Sequence, residues 1–178
     1  MTTIAFDGRF LAADRRVMHG NDIIARACRK LDVAGDPAMA FASTGMITEH
    51  WRAALIGWWL AGHAPRDLPP FGGDIKDAGS FVIIERNGAV WNATYVCPYP
   101  WRDAPPCAWG TGADLATGAM LAGKSAMEAV AIAAQRDANT GGGVQFIDIA
   151  DLAAGVQDWP ATRIVARRAS RRKEKLAA

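Results

Sequence analysis

The sequence contains few residues that bind metals or form disulfide bonds. It has three cysteines, Cys28, Cys97 and Cys107, and only three histidines, and these residues lack the spacing of a zinc site. We therefore expect no metal and no other cofactor. An odd number of cysteines also argues against a disulfide framework, so we expect buried, reduced thiols.

Long apolar runs are missing as well. No run approaches the roughly 18 residues of a membrane span, and Asp7 and Arg9 interrupt the first apolar stretch, where a signal peptide needs an unbroken one. We expect a cytoplasmic protein with no membrane partner. With 178 residues, 51% of them hydrophobic, the chain is large enough for one globular domain with a sizeable core.

Charge is distributed unevenly along the chain. The overall formal charge is +2, but residues 161–178 hold seven basic residues and one glutamate, so the rest is acidic with a net charge of −4. This basic tail lacks the interleaved aromatic residues that stack on bases, and we expect no nucleic-acid partner. We predict one domain over residues 1–150, followed by a connector and a mobile basic tail over 151–178.

Alternating apolar residues and tight-turn signals predict an antiparallel sheet. Asp7-Gly8 and Asn87-Gly88 are typical of two-residue hairpin turns. The tracts 63–79 and 97–109, rich in proline and glycine, are predicted as loops. Strands are predicted at 2–6, 9–13, 23–33, 38–42, 81–84, 89–96 and 144–149.

Helical periodicity appears in three places. Residues 47–61 place Trp51, Leu55, Trp58 and Trp59 on one face, typical of a helix packed on a sheet. Residues 113–121 and 125–135 follow later, and Ser125 with Glu128 has the spacing of a capping box for the second of these. The order of strands and helices predicts an α+β fold with antiparallel sheets.

The extreme N-terminus carries the residues with the most specific chemistry. If Met1 is removed, Thr2 carries both a hydroxyl nucleophile and a free α-amine that can act as its base. Such an amine has a pKa of about 7.7–8.0, so part of it is neutral near pH 7. The alternative is that Thr2 is an ordinary residue at a frayed end.

Four segments, taken together, resemble proteasome β-subunits and HslV, the bacterial proteasome-like peptidase. Thr2-Thr3-Ile4 is followed by Ala12-Ala13-Asp14, and Lys30 lies 16 residues after Asp14, the interval of the family. Gly110-Thr111-Gly112 is similar to the family's Gly-Ser-Gly before a helix. Residues 136–142 are similar to its Arg-Asp-x-x-Ser-Gly-Gly turn before the last strand. The resemblance covers Thr2–Ile149 and is closest to short bacterial and phage-like homologues.

The resemblance implies an N-terminal-nucleophile hydrolase fold, a four-layer αββα sandwich of two antiparallel sheets. It implies a threonine-type endopeptidase that hydrolyses peptides or unfolded proteins inside a homo-oligomer, a double ring with six or seven chains per ring. It leaves open an ATP-dependent unfoldase as a partner.

The same resemblance implies roles for individual residues. Thr2 would be the nucleophile, Lys30 would favour its alkoxide, and Asp14 would hold the lysine charged. A backbone N–H near Ser43 would stabilise the oxyanion. The residues implied to orient the α-amine are Thr111, Asp137 and Thr140.

Three interpretations of the function stay open, and the threonine peptidase is the first. Ser43 stands where the family has a glycine, and a second alignment places Ala27, not Lys30, at the lysine position. In that alignment the site lacks its lysine and is catalytically inactive, and the chain is a ring-forming scaffold or binding protein. An amidase acting on small substrates is the third alternative.

Overall fold

The computed structural model of the chain describes residues 2–45, 49–70, 79–94 and 100–160. These residues form an α+β fold with antiparallel sheets, as the sequence predicts. Short 3-10 helices lie at Pro65–Asp67 and Ile149–Ala154. The strands and α-helices are β1 Thr3–Phe6, β2 Phe10–Asp14, β3 Val17–His19, β4 Asp22–Ala25, β5 Leu31–Ala34, β6 Met39–Ser43, α1 Glu49–Leu60, β7 Ser80–Ile84, β8 Val90–Thr94, β9 Trp101–Asp103, β10 Cys107–Gly110, α2 Ala113–Leu121, α3 Ala126–Ala133, β11 Val144–Asp148 and β12 Gln157–Trp159.

The first five-stranded sheet has the order β10-β1-β2-β11-β12. Its central hairpin turns at Asp7, whose Oδ1 accepts the N–H groups of Arg9 and Phe10 at 2.9 and 2.8 Å. The other oxygen of Asp7 accepts the N–H of Ala126, the first residue of α3, at 2.8 Å. One side chain therefore forms the predicted turn and anchors α3 beside it. The predicted capping box of Ser125 and Glu128 at the start of α3 is confirmed.

The second five-stranded sheet has the order β5-β6-β7-β8-β9, and β3 pairs with β4 as a separate two-stranded sheet. The predicted hairpin at Asn87-Gly88 joins β7 to β8, with Ile84 opposite Val90. The described residues thus form three antiparallel sheets where the resemblance implied two.

Three apolar clusters bury the faces of the two larger sheets. Ile4 and Leu11 of the first sheet share one cluster with Leu31 and Val82 of the second, so these two sheets pack face to face. The opposite face of the first sheet packs against α2 and α3, and that of the second packs against α1. The tryptophan face of α1 is buried through Leu55, Trp58 and Trp59, as predicted, with Trp51 at its margin.

The prediction of one long strand over 23–33 is wrong. Strand β4 ends at Ala25 and β5 starts at Leu31, and β4 pairs with β3 in a hairpin that the sequence did not predict. The intervening segment takes no part in a strand ladder. Instead the Cys28 N–H donates to the Arg15 carbonyl at 2.9 Å, and other parts of the chain hold the rest of the segment.

Two segments predicted without strands contain short ones. The loop predicted over 97–109 contains β9 and β10, because Pro105 and Pro106 fall in the turn between them and so remove no donor from either strand. The connector predicted after residue 150 forms a 3-10 turn and then β12, which pairs with β11 at the edge of the first sheet.

Several predictions lie partly or wholly outside the described residues. Helix α1 covers most of the predicted 47–61, but residues 47 and 48 are not described, nor are 71–78 of the predicted loop. Residues 95 and 96 of a predicted strand, Cys97 and the basic tail 161–178 also lie outside. The two described cysteines, Cys28 and Cys107, are free thiols that are half-buried. No helix in the described ranges combines the length and apolar character needed to cross a membrane.

Candidate active site

Thr2 lies directly before β1 and is only 4% exposed. Its carbonyl accepts the N–H of Thr111 at 3.0 Å, just after β10 pairs with β1. Gly110 adopts φ +94°, and a Cβ there would overlap the Thr2 carbonyl, so the approach requires glycine. The Gly110-Thr111-Gly112 motif thus serves to hold the backbone of Thr2 in place.

Asp14, at the end of β2, is completely buried and accepts four hydrogen bonds. Its Oδ1 accepts the Thr3 N–H at 3.0 Å and the Lys30 ammonium at 2.7 Å. Its Oδ2 accepts the N–H groups of Arg16 at 3.1 Å and Gly141 at 3.0 Å. Because one oxygen serves both the Thr2–Thr3 peptide and the lysine, the ammonium is a neighbour of Thr2.

Lys30 is 5% exposed and lies just before β5. Its ammonium donates to Asp14 and also to the Arg16 carbonyl at 2.6 Å, which leaves one of its three N–H groups without a partner among the described residues. Burial lowers the pKa of Lys30 below its ordinary value, while the Asp14 carboxylate acts in the opposite direction. Ala27, by contrast, is exposed. The buried position beside Asp14 is therefore occupied by Lys30.

Two hydroxyls donate to one carboxylate oxygen of Asp137. Thr111 Oγ1 donates to it at 2.7 Å and Thr140 Oγ1 at 2.5 Å. Since the Thr140 proton is used there, the 2.5 Å bond between Thr3 and Thr140 has Thr3 as donor. Burial acts to raise the pKa of Asp137, but hydrogen bonds from Thr140, Thr111 and Asn139 outweigh it, so its pKa lies below the ordinary value.

The hydrogen bond to Asp137 determines how the Thr111 hydroxyl can bond to another group. Its single proton points to Asp137, so its oxygen remains only as an acceptor. Thr111 also bonds the Thr2 carbonyl through its backbone N–H, which keeps the hydroxyl close to Thr2. An acceptor at this place suits an N–H of a Thr2 α-amine.

The glycine turn after Thr140 joins the two polar clusters. Gly141 donates to Asp14, and Gly142 adopts φ +76° where a Cβ would overlap the Arg26 carbonyl. A residue with a side chain would therefore push the turn away from Arg26, in the segment that follows β4. The turn holds Asp137 and Thr140 on one side of Thr3 and Asp14 on the other.

Ser43 ends β6 and is 5% exposed. The register of Leu31 with Ala42 places Lys30 opposite Ser43, one step beyond the ladder. Since the Thr44 N–H donates to the Ser80 carbonyl at 2.9 Å, and N–H groups alternate along a strand, the Ser43 N–H points to the opposite side, toward Lys30. The Ser43 N–H therefore lies on the side of β6 that faces Lys30.

Sequence reasoning missed Thr3, the Arg16 carbonyl and Gln145 as parts of this site. Gln145, on β11, is 1% exposed, and its register opposite Ala13 turns it toward the second sheet. A polar residue at an inward position of an otherwise apolar strand was the signal that could have found it. No comparable signal marks Thr3 or a backbone carbonyl.

Acidic and metal-binding side chains do not gather into a metal site here. Within the described ranges, no group of three or more His, Cys, Asp or Glu side chains could hold a metal ion. Asp14 and Asp137 belong to separate clusters, each already filled by hydrogen-bond donors.

Comparison with known proteins identifies a shared fold. No protein-family model matches the chain, and neither does any curated protein. Solved structures do match: one of Thiobacillus denitrificans BPH has a TM-score of 0.57 and 16% identity, over 90% of this chain and 98% of that one. Another, of the same protein in complex with epoxomicin, has a TM-score of 0.56 and 16% identity over 89% and 98%. At this identity the likeness shows the fold alone.

Proposed function

We propose that this chain is a threonine-type endopeptidase of the proteasome-like N-terminal-nucleophile hydrolases. Its nucleophile is the Thr2 hydroxyl, exposed when everything before Thr2 is removed. The observation that carries the proposal is the buried Lys30–Asp14 pair, in which the oxygen that binds the ammonium at 2.7 Å also binds the Thr3 N–H. A paired cation buried beside a hydroxyl favours the alkoxide form of that hydroxyl.

The packing of the sheets supports membership of this fold. Two five-stranded sheets share one core, with α1 on one outer face and α2 and α3 on the other. We interpret this as the four-layer αββα sandwich of the family, with the β3–β4 hairpin as an addition. The likeness to Thiobacillus denitrificans BPH, which also has a structure in complex with epoxomicin, leads us to expect that this chain binds epoxomicin too.

The proposed reaction proceeds through an acyl-enzyme. The Thr2 oxygen attacks the peptide carbonyl carbon while its proton passes to the Thr2 α-amine, and the proton then goes to the leaving amine as the C–N bond breaks. Water attacks the resulting ester and frees Thr2. Thr111 accepts an N–H of the α-amine, which keeps the nitrogen lone pair directed at the hydroxyl, and Asp137 keeps Thr111 in that role.

The negative charge that develops on the substrate carbonyl oxygen during the attack is stabilised by a hydrogen-bond donor. The Ser43 N–H is on the Lys30 side of β6 and fits this role, which is worth about 3–4 kcal/mol where one such donor has been removed from an enzyme. Ser43 supplies the N–H through its backbone, so a serine in place of glycine keeps the donor.

One observation favours the second candidate, a ring-forming scaffold without activity. Thr2 is only 4% exposed, so substrate reaches it only if processing uncovers the residue. If residues before Thr2 stay attached, the α-amine is an amide and cannot act as a base. The two candidates therefore differ in the chemical state of the N-terminus.

Hydrolysis of a panel of fluorogenic peptides tests the proposal. We expect turnover by the wild type and none by Thr2→Ala, with Thr2→Ser retaining part of it. Thr117→Ala, a change of the same type on α2 outside the site, is the matched control and keeps wild-type turnover. Equal turnover by Thr2→Ala and Thr117→Ala contradicts the proposal, and so does the absence of turnover by a wild type whose mass shows a free Thr2.

A further inference from the structure

The segment that carries Lys30 is irregular, although the position of its ammonium must be fixed. Residues 26–30 lie between β4 and β5 and belong to neither strand. The ammonium nevertheless lies 2.7 Å from Asp14, on the end of a different strand. Something other than a strand ladder must therefore hold this backbone at a set distance from β2.

Besides the backbone bond from Cys28 to Arg15, the side chain of Gln145 makes that connection. Its Oε1 accepts the Lys30 N–H at 3.2 Å, and its Nε2 donates to the Cys28 carbonyl at 3.1 Å. The same Nε2 donates to the Asp14 carbonyl at 3.2 Å. The amide thus pairs with the Cys28–Lys30 backbone as a neighbouring peptide group would, and it ties that backbone to the residue whose carboxylate holds Lys30.

Its environment makes the connection rigid. Gln145 is 1% exposed and sits on β11, which is paired to β2 from Val144 opposite Asp14 onward. Both amide hydrogens of Gln145 are donated, so the orientation of the amide is determined by its partners. A buried amide with these bonds made resists displacement, because each orphaned group left behind in the core is costly.

We propose that Gln145 is a positioning residue that sets the distance from the Lys30 ammonium to Asp14 and Thr2, an inference that rests on the proposed function. Gln145 acts through the backbone of Lys30 and touches no reacting atom. Its loss should therefore impair the chemical step and leave peptide binding intact. Displacement of a catalytic group by about 1 Å can cost a hundredfold in rate.

The experiment compares Gln145→Met, which keeps the length of the side chain but has no amide, with Gln157→Met on neighbouring β12 as the matched control. The first readout is steady-state hydrolysis of a fluorogenic peptide. We expect kcat to fall about tenfold to a hundredfold in Gln145→Met with KM unchanged, and neither constant to change in Gln157→Met. A purely structural role predicts lower stability with an unchanged kcat per folded molecule, and that result overturns the inference.

The second readout does not depend on activity. The chain has five lysines, and the NMR signal of Lys30 in protein labelled with 13C-lysine is assigned by its loss in Lys30→Met. In the wild type this signal should titrate below the ordinary range of a lysine, because burial lowers the pKa of Lys30. In Gln145→Met fewer hydrogen bonds hold the segment, so the ammonium reaches water more easily and its titration should move up toward the ordinary range. An unmoved Lys30 signal overturns the inference.

The two readouts separate the inference from the proposed function. If wild type shows no turnover but the Lys30 signal moves in Gln145→Met alone, the peptidase proposal fails and the positioning of Lys30 by Gln145 stands. If Gln145→Met does not fold, Gln145→Asn replaces it, because its shorter amide cannot reach both β2 and the Lys30 segment. The same two outcomes then apply.

Discussion

Replacing Asp14 by asparagine should lower the free energy of unfolding far more than the small change in size suggests. Asparagine keeps one acceptor oxygen and places an NH2 group where the other was. If the NH2 replaces Oδ2, the N–H groups of Arg16 and Gly141 lose their acceptor; if it replaces Oδ1, Thr3 and Lys30 do. Two donors are orphaned in either orientation, and of the four only the Arg16 N–H is half-buried rather than buried.

The magnitude follows from those donors. An orphaned buried donor costs about 1–3 kcal/mol, and more when it is charged. Removing one member of a buried ion pair costs about 3–5 kcal/mol. The two costs overlap, so we expect Asp14→Asn to lower the free energy of unfolding by about 3–5 kcal/mol, a large part of the roughly 5–15 kcal/mol of a typical domain.

The assay is urea unfolding at pH 7, followed by the fluorescence of the seven tryptophans. Asp148→Asn is the matched control, since Asp148 also forms an ion pair, with Arg9 at 2.8 Å, but the Arg9 side chain is 64% exposed. A surface pair contributes little, so the control should lose far less stability. Adding Lys30→Met to Asp14→Asn should restore part of the loss, because it removes the unpaired ammonium. Equal losses of stability in Asp14→Asn and Asp148→Asn would refute the role of Asp14 as the buried acceptor of four hydrogen bonds.

Three further predictions concern other groups. Because the pKa of Asp137 is lowered in the folded protein, its ionised form stabilises the fold above the unfolded pKa of about 3.9, and this stability is lost as the pH falls through the folded pKa. The melting temperature of Asp137→Asn should therefore lie below that of wild type at pH 6 and approach it at pH 2. A difference in melting temperature that stays constant with pH would contradict this. Burial raises the pKa of Cys107 to about 12, so iodoacetamide at pH 8 should leave this half-buried thiol unmodified in the native protein and modify it in urea. Peptide mapping that finds Cys107 modified in the native protein would contradict this. Light scattering after size-exclusion chromatography should show a particle of twelve or fourteen chains that persists when residues 161–178 are deleted; a stable monomer would argue against the ring, and an insoluble deletion variant would show that the tail is structural.

Local chemistry explains which parts of the fold could be predicted from the sequence. The turns at Asp7-Gly8 and Asn87-Gly88 and the Ser125–Glu128 capping box depend on residues within a few positions of one another, and the structure contains all three. The tryptophan face of α1 follows from helical periodicity alone. These features can be predicted without knowing which residues distant in sequence they contact.

The features that sequence reasoning missed depend on distant partners. The break between β4 and β5 is stabilised by Gln145, more than a hundred residues away, and no local signal separates it from a continuous strand. Strands β9 and β12 have three residues each and exist through pairing with β8 and β11. The proximity of Asp14 and Lys30 was predicted by their spacing and the resemblance, whereas the hydroxyl chain from Thr3 through Thr140 to Asp137 requires the three-dimensional structure.

The central claim is that Thr2, as the N-terminal residue, is the nucleophile. Intact and tandem mass spectrometry of the purified protein after incubation with an electrophile that reacts with N-terminal threonine tests it most directly. We predict a chain that starts at Thr2 and gains the mass of one such group, with the adduct on Thr2 and no adduct on Thr2→Ala. A chain that starts at Thr2, is folded, and gains no mass at that residue would contradict the claim.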